Sequence, residues 1–111
     1  MGTEDGFVRV ASLAEVPEGE LRCFDLELGR VTVAHVENEL FALGDECTHE
    51  GCSLAEGHLG EGEETVVCPC HGSEFDLRSG EPLAGPAADP VPVYPVRVRD
   101  GWIELRPEPE A

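Results

Sequence analysis

A chain of 111 residues and 11.9 kDa has room for one domain and is too short for two of ordinary size. Twenty-four acidic residues face seven arginines and no lysine, and the formal charge of −17 argues against nucleic acid or an anionic membrane as partner. The charge fits a protein that docks on a basic surface, and equally one whose acidity serves only solubility. With no apolar run of about 20 residues and no basic leader, we expect a cytoplasmic protein without a membrane segment.

Short segments with β-branched residues, separated by Gly, Pro, Asn and Asp, predict an all-β domain. The predicted strands cover residues 7–11, 21–27, 30–36, 40–43, 65–67, 74–77, 93–99 and 102–105. Ser12 and Glu15 have the spacing of a capping box and predict a short helical turn after the first strand. Asp100-Gly101 predicts a two-residue hairpin turn before the last strand.

Alternation in that final hairpin predicts one apolar and one charged face. The core-facing residues would be Val96, Val98, Ile103 and Leu105, and the outward residues Arg97, Arg99 and Glu104. Residues 44–62, rich in Gly and Glu, and residues 81–92, rich in Pro, lack a strand pattern and are expected to be functional or disordered loops. The tail 106–111 is expected to fray.

Two segments combine cysteine and histidine at the spacing of metal ligands. Cys47-x-His49 lies in the first loop, and Cys68-x-x-His71 follows a predicted strand further along the chain. Two thiolates and two imidazoles of this kind hold either a tetrahedral zinc ion or a two-iron, two-sulfide cluster. Clustered cysteines in a reducing compartment indicate such chemistry before a disulfide framework.

These four residues, with Gly72 and Ser73, resemble the Rieske [2Fe-2S] domain family, and Gly85-Pro86-Ala87 looks like the family's Pro loop. The resemblance covers most of the chain. It implies one domain, residues 1–111, built as an antiparallel β-sandwich with a small cluster-binding subdomain at about 44–80 made of two loops plus the Pro loop. It also implies one [2Fe-2S] cluster, with Cys47 and Cys68 on one iron and His49 and His71 on the other.

The two neutral imidazoles would raise the reduction potential, because they remove two negative charges from the ligand set. The range is roughly −150 to +300 mV, against about −400 mV for plant-type ferredoxins. Exposed imidazoles bind their protons more tightly when the cluster is reduced, so we expect the potential to fall with pH above the imidazole pKa of the oxidised state.

The remaining site residues are also implied by the resemblance. In high-potential Rieske proteins of cytochrome bc complexes, the positions of Cys52 and Cys70 form a disulfide between the cluster loops; the alternative here is two reduced thiols. Ser73 matches a serine that donates to cluster sulfur, whereas Phe75 replaces a tyrosine, so one of two hydroxyl donors would be missing. Pro86 is expected to cover the cluster.

The two other histidines and the fifth cysteine are not expected to bind the metal. His35 is expected on a strand surface, His58 in a solvated loop, and Cys23 as a packed residue within a strand. Six glutamates would ring the first cluster loop and meet a basic partner, or else form a solvated face: Glu46, Glu50, Glu56, Glu61, Glu63 and Glu64.

The resemblance implies a one-electron carrier and no enzyme: a Rieske ferredoxin that passes electrons from a reductase to a multicomponent non-haem iron oxygenase, such as a dioxygenase. Both protein partners would dock at the tips of the cluster loops. Three other functions stay open: the small subunit of a nitrite reductase, an accessory ferredoxin of iron–sulfur cluster assembly, and a zinc-stabilised interaction domain.

Overall fold

The computed structural model describes residues 6–27, 29–46, 52–60, 62, 64–70, 72–84 and 89–106. These residues form eleven strands and two 3₁₀ turns, Leu13–Glu15 and Leu54–Glu56. The strands are β1 Val8–Ser12, β2 Leu21–Leu26, β3 Gly29–Val36, β4 Glu39–Gly44, β5 His58–Leu59, β6 Thr65–Val67, β7 Glu74–Asp76, β8 Pro82–Ala84, β9 Val93–Tyr94, β10 Val96–Arg99 and β11 Trp102–Leu105. All strand pairs are antiparallel, which confirms the predicted all-β class.

Three sheets are present, with strand orders β1-β11-β10, β2-β3-β4-β9 and β5-β6-β7-β8. The β2-β3-β4-β9 sheet lies in the middle, because alternate residues of β3 point into two different cores. Val31 and Val33 pack with Ile103 and Leu105 of the β1-β11-β10 sheet. Residues on the other face of β3 pack with the β5–β8 sheet and with Leu54, in a core formed by Leu21, Ala34, Val36, Leu43, Val66, Cys68, Phe75, Leu77 and Val91.

Local chemistry explains the connections. The capping box is confirmed: Ser12 Oγ accepts a hydrogen bond from the Ala14 amide, and Glu15 accepts one from the Ser12 amide. The turn between β10 and β11 is also confirmed, since Asp100 and Gly101 both have positive φ, 54° and 80°, as a primed hairpin turn requires. Pro95 separates β9 from β10, where one long strand was predicted.

The faces of the last hairpin were predicted only in part. Ile103 and Leu105 are buried, but Val98 is 44% exposed. Glu104 was expected to be exposed and is 1% exposed, because Arg9 and Arg97 flank it from the neighbouring strands and cover it. Arg9 stacks on Trp102 and Arg97 on Phe7, so this outer sheet presents an arginine-rich surface.

Two short strands were missed. His58–Leu59 and Pro82–Ala84 lie in stretches that were expected to be irregular, and they form the two edges of the β5–β8 sheet. That sheet supports the candidate site, which therefore rests on strands as well as loops. None of the described helical segments is long and apolar enough to cross a membrane.

Candidate metal centre

The first candidate loop leaves the central sheet at the end of β4 and is closed at its base. Glu46 and Ser53 form an isolated antiparallel bridge, and the Leu54 amide donates to the Asp45 carbonyl at 2.7 Å. Leu54 is fully buried and begins the second 3₁₀ turn. The predicted ligands Cys47 and His49 lie between these closing contacts and outside the described residues.

The second candidate loop connects β6 to β7. The Cys68 amide donates to the Ser73 carbonyl at 2.7 Å, and the Gly72 amide donates to the Cys68 carbonyl at 3.2 Å. Gly72 has φ 76°, a left-handed conformation that glycine adopts without strain. These bonds hold Cys68 and Ser73 at the two ends of a tight loop, whereas His71, the predicted ligand between them, lies outside the described residues.

A disulfide joins the two loops. Cys52 and Cys70 are bonded, with their Cα atoms 6.4 Å apart, which confirms the bridge in preference to two reduced thiols. The Sγ atoms of Cys52, Cys68 and Cys70 all lie within 4.8 Å of one another. The disulfide therefore lies directly beside the thiol of the predicted ligand Cys68.

Cys68 has the environment expected of a cluster ligand. It takes no part in the disulfide, it is 3% exposed, and it packs in the same core as Leu54 and Phe75. Thiolate is a preferred ligand of both iron–sulfur clusters and zinc, and burial shields such a centre from water. Cys68, the one predicted ligand among the described residues, therefore fits either a [2Fe-2S] cluster or a zinc ion.

Two residues predicted to tune the cluster are fully buried beside Cys68. Ser73 is 0% exposed at the end of the second loop. Phe75 is also 0% exposed and fills the core below the loop, with no hydroxyl to donate. The third tuning residue, Pro86, lies outside the described residues.

The remaining candidates lie on strands, where His58 pairs with Val67, the residue before Cys68, and the Cys23 thiol hydrogen-bonds Asp45. His35 is half-buried and its Nδ1 is 2.8 Å from the Val16 carbonyl oxygen, so it ties β3 to the segment before β2. His58 is exposed on β5, within a strand and not in a loop. Cys23 was expected to be packed, but it is exposed on β2. The pKa of its thiol is raised, first by the buried part of the side chain and then by the nearby Asp45 carboxylate.

Of the glutamates expected to ring the first loop, Glu46 and Glu56 are exposed at its described ends, whereas Glu64 is exposed beside Arg78, at the opposite end of β6 from Cys68. Glu50, Glu61 and Glu63 lie outside the described residues. Asp45, which the sequence did not single out, is 0% exposed at the base of the first loop. Burial alone would raise the pKa of Asp45, but hydrogen bonds from Thr32, Ser53 and the Ala55 amide outweigh burial and lower it.

Comparison with known proteins identifies relatives over nearly the whole chain. The family model described as the Rieske [2Fe-2S] domain matches residues 6–95. The 3-phenylpropionate/cinnamic acid dioxygenase ferredoxin subunit of Photorhabdus laumondii is 40% identical over 96 residues, covering 86% of this chain and 90% of its own.

Two solved structures have the same fold. The ferredoxin of carbazole 1,9a-dioxygenase from Nocardioides aromaticivorans IC177 superposes with a TM-score of 0.86 at 31% identity, covering 92% of this chain and 98% of its own. A structure described as the complex of reduced oxygenase and oxidized ferredoxin in carbazole 1,9a-dioxygenase has a chain with a TM-score of 0.86 at 27% identity, covering 96% of this chain and 97% of its own.

Proposed function

Because this chain belongs to the Rieske [2Fe-2S] domain family, we propose that it is the ferredoxin component of a multicomponent non-haem iron oxygenase system. It carries one [2Fe-2S] cluster and acts as an electron carrier, not as an enzyme. The observation that supports this function best is that a ferredoxin subunit of a dioxygenase matches the chain over 90% of its own length. The electron donor would be a reductase and the acceptor the oxygenase component.

The proposed ligands are Cys47 and Cys68 on one iron, and His49 and His71 on the other. When bound, the cluster supplies reversible one-electron chemistry at a potential that the two neutral imidazoles raise. The burial of Cys68 and its exclusion from the disulfide support its place in this set.

The chain's own residues fix the distance between the two loops. The Cys52–Cys70 disulfide joins them covalently, and the tight loop from Cys68 to Ser73 holds one ligand within a hydrogen-bonded frame. A rigid ligand frame suits electron transfer, because little rearrangement is then needed when the redox state changes.

The cluster reading is tested by potentiometric titration of the anaerobically purified chain, followed by electron paramagnetic resonance of the reduced form. We expect a rhombic signal typical of mixed nitrogen and sulfur ligation, and a midpoint near −150 mV, the low end of the range for such clusters, would favour supply to an oxygenase. A midpoint well above 0 mV would contradict supply to an oxygenase and favour quinone or cytochrome partners. Stoichiometric zinc without a signal would overturn the electron-transfer function.

The partner reading is tested by reconstitution. Oxygenase product should form only when the reductase, this chain and the oxygenase are all present, and the Cys68→Ser variant should abolish it. The Ser79→Ala variant is the control, because Ser79 lies in an exposed turn between β7 and β8. Product formation without this chain would contradict the proposal.

A further inference from the structure

Asp45 is a buried acidic residue that joins the central sheet to the far end of the first loop. Its Oδ1 accepts hydrogen bonds from Thr32 Oγ1 on β3, from Ser53 Oγ at 2.9 Å and from the Ala55 amide at 3.1 Å. Thr32 precedes the loop in sequence, whereas Ser53 and Ala55 follow it. A single carboxylate oxygen thus connects both sides of the loop that holds Cys47 and His49.

The backbone of Asp45 makes the same connection. Its amide donates to the Arg30 carbonyl on β3 at 3.1 Å, and its carbonyl accepts from the Leu54 amide at 2.7 Å. Leu54 is fully buried in the core that also contains Cys68. Displacing Asp45 would therefore move the base of the first loop relative to the ligand of the second.

The charge of Asp45 is only partly compensated. The Cys23 thiol hydrogen-bonds the carboxylate, and Arg30 Nε lies 3.8 Å from the buried Oδ2 with its side chain 52% exposed. An asparagine would keep the accepting oxygen and avoid the cost of burying a charge. This chain nevertheless carries an acid two residues before Cys47.

We propose that Asp45 is a positioning residue with two separable effects: its hydrogen bonds hold the first cluster loop in place, and its fixed negative charge lowers the reduction potential of the cluster. The proposal rests on the function proposed above, because it concerns the same loop. A negative charge near the cluster opposes the addition of an electron.

The test compares variants that separate the two effects. Asp45→Asn keeps the accepting oxygen and removes the charge, so the cluster should load fully with unchanged g-values. Its reduction equilibrium constant should rise about tenfold, which is a midpoint 59 mV more positive for one electron. Asp25→Asn is the matched control: Asp25 is exposed on β2 opposite Arg30, and its removal should leave the midpoint unchanged.

Two further variants test positioning. Ser53→Ala removes one donor from the far side of the loop and keeps the charge, so the cluster should be lost severalfold faster in urea, with the midpoint within a threefold change of the equilibrium constant. Asp45→Ala removes every side-chain contact and should lower cluster occupancy more than Asp45→Asn does. If Asp45→Ala does not fold, Ser53→Ala provides the comparison.

Each of the two proposed effects of Asp45 can be overturned by a specific result. An unchanged midpoint in Asp45→Asn overturns the electrostatic effect, and unchanged cluster release in Ser53→Ala together with full loading of Asp45→Ala overturns the positioning effect. These outcomes are measured relative to the wild-type cluster signal. Failure of the proposed function would instead remove that signal from the wild-type chain.

Discussion

The Ser73 hydroxyl is a single polar group on which the potential of the cluster is expected to depend. The side chain is fully buried beside Cys68, where a hydroxyl donor to cluster sulfur stabilises the reduced, more negative form. Ser73→Ala should therefore lower the midpoint by roughly 40 mV, since one hydrogen bond contributes about 1 kcal/mol. Potentiometric titration measures the shift. Ser79→Ala, in an exposed turn, is the control, and an equal shift in both variants would contradict the role of Ser73.

Tyr94 is expected to make the fold less stable at alkaline pH. Burial in the core between the central and the arginine-rich sheets raises the pKa of its phenol above about 10. Folding then favours the protonated phenol. The resulting contribution to the free energy of unfolding is complete below the pKa that the phenol has in the unfolded chain, and it is lost as pH rises through the higher pKa of the folded chain. The loss is about 1.4 kcal/mol for each unit by which the pKa is raised.

Tyr94→Phe removes this loss. Urea unfolding at pH 8 and pH 11 should show a smaller decrease in the free energy of unfolding for Tyr94→Phe than for the wild type. An identical decrease in both proteins would show that the phenol does not contribute.

At the scale of elements, Gly57 permits the close approach of β6 to the second 3₁₀ turn. A Cβ atom at this position would lie 1.9 Å from the Val67 carbonyl oxygen, one residue before Cys68. Gly57→Ala should therefore displace the end of β6, lower the free energy of unfolding by about 2 kcal/mol and reduce cluster occupancy.

The matched control is Gly101→Ala. Gly101 has φ 80° with open space around it, so an alanine costs only backbone strain of about 1 kcal/mol, far from the loops. Urea unfolding and iron content measure both variants. Equal iron loss in the two would contradict a specific effect of Gly57.

The disulfide joins the two candidate loops across 18 residues of sequence. By the loop-entropy model, its removal in a Cys52→Ala, Cys70→Ala double variant should lower the free energy of unfolding by about 3 kcal/mol. Urea unfolding followed by circular dichroism measures the change. Incubating the wild type with a strong reductant until alkylation labels both cysteines should reproduce it, and a stable reduced protein would contradict the estimate.

The long strands could be predicted because β-branched residues and alternation mark them locally. The strands β5 and β8 could not: two residues at His58 and a segment beginning with Pro82 carry no periodic signal, and the neighbouring sheet induces their pairing. The burial of Glu104 was missed for a related reason, since the arginines that cover it come from two other strands.

The candidate site, like the fold, could be predicted from the sequence only in part. The cysteine and histidine spacing marks the loops, because ligands of one centre must lie close together within each segment. Asp45 carries no comparable mark: its partners Thr32 and Ser53 lie 13 and 8 residues away, and one more acid in a chain of charge −17 does not stand out. The exposure of Cys23 depends likewise on what the fold leaves uncovered.

At the scale of the whole molecule, charge should govern the rate at which the reductase reduces the chain. If the exposed glutamates around the site face a basic partner, raising the salt from 0.05 to 0.5 M should slow reduction severalfold, because salt screens attraction between separated charges. Stopped-flow measurement of cluster bleaching gives the rate. The Glu46→Gln, Glu56→Gln double variant should weaken the salt dependence, whereas Glu64→Gln, beside Arg78 at the opposite end of β6 from Cys68, should not. A rate independent of salt would identify a merely solvated face.

The two outer sheets lie on opposite faces of the central sheet, and their charges differ in sign. Arg9, Arg97 and Arg99 lie on the β1-β11-β10 sheet and Arg106 directly follows it, which places four of the seven arginines together. The described acids of the other side include Glu56, Glu64, Glu74 and Glu81. The molecule is therefore an electric dipole as well as an anion. In the field of a cationic partner a dipole experiences a torque. The chain would therefore turn its cluster end toward the partner before contact, and fewer unproductive encounters would involve the arginine-rich sheet.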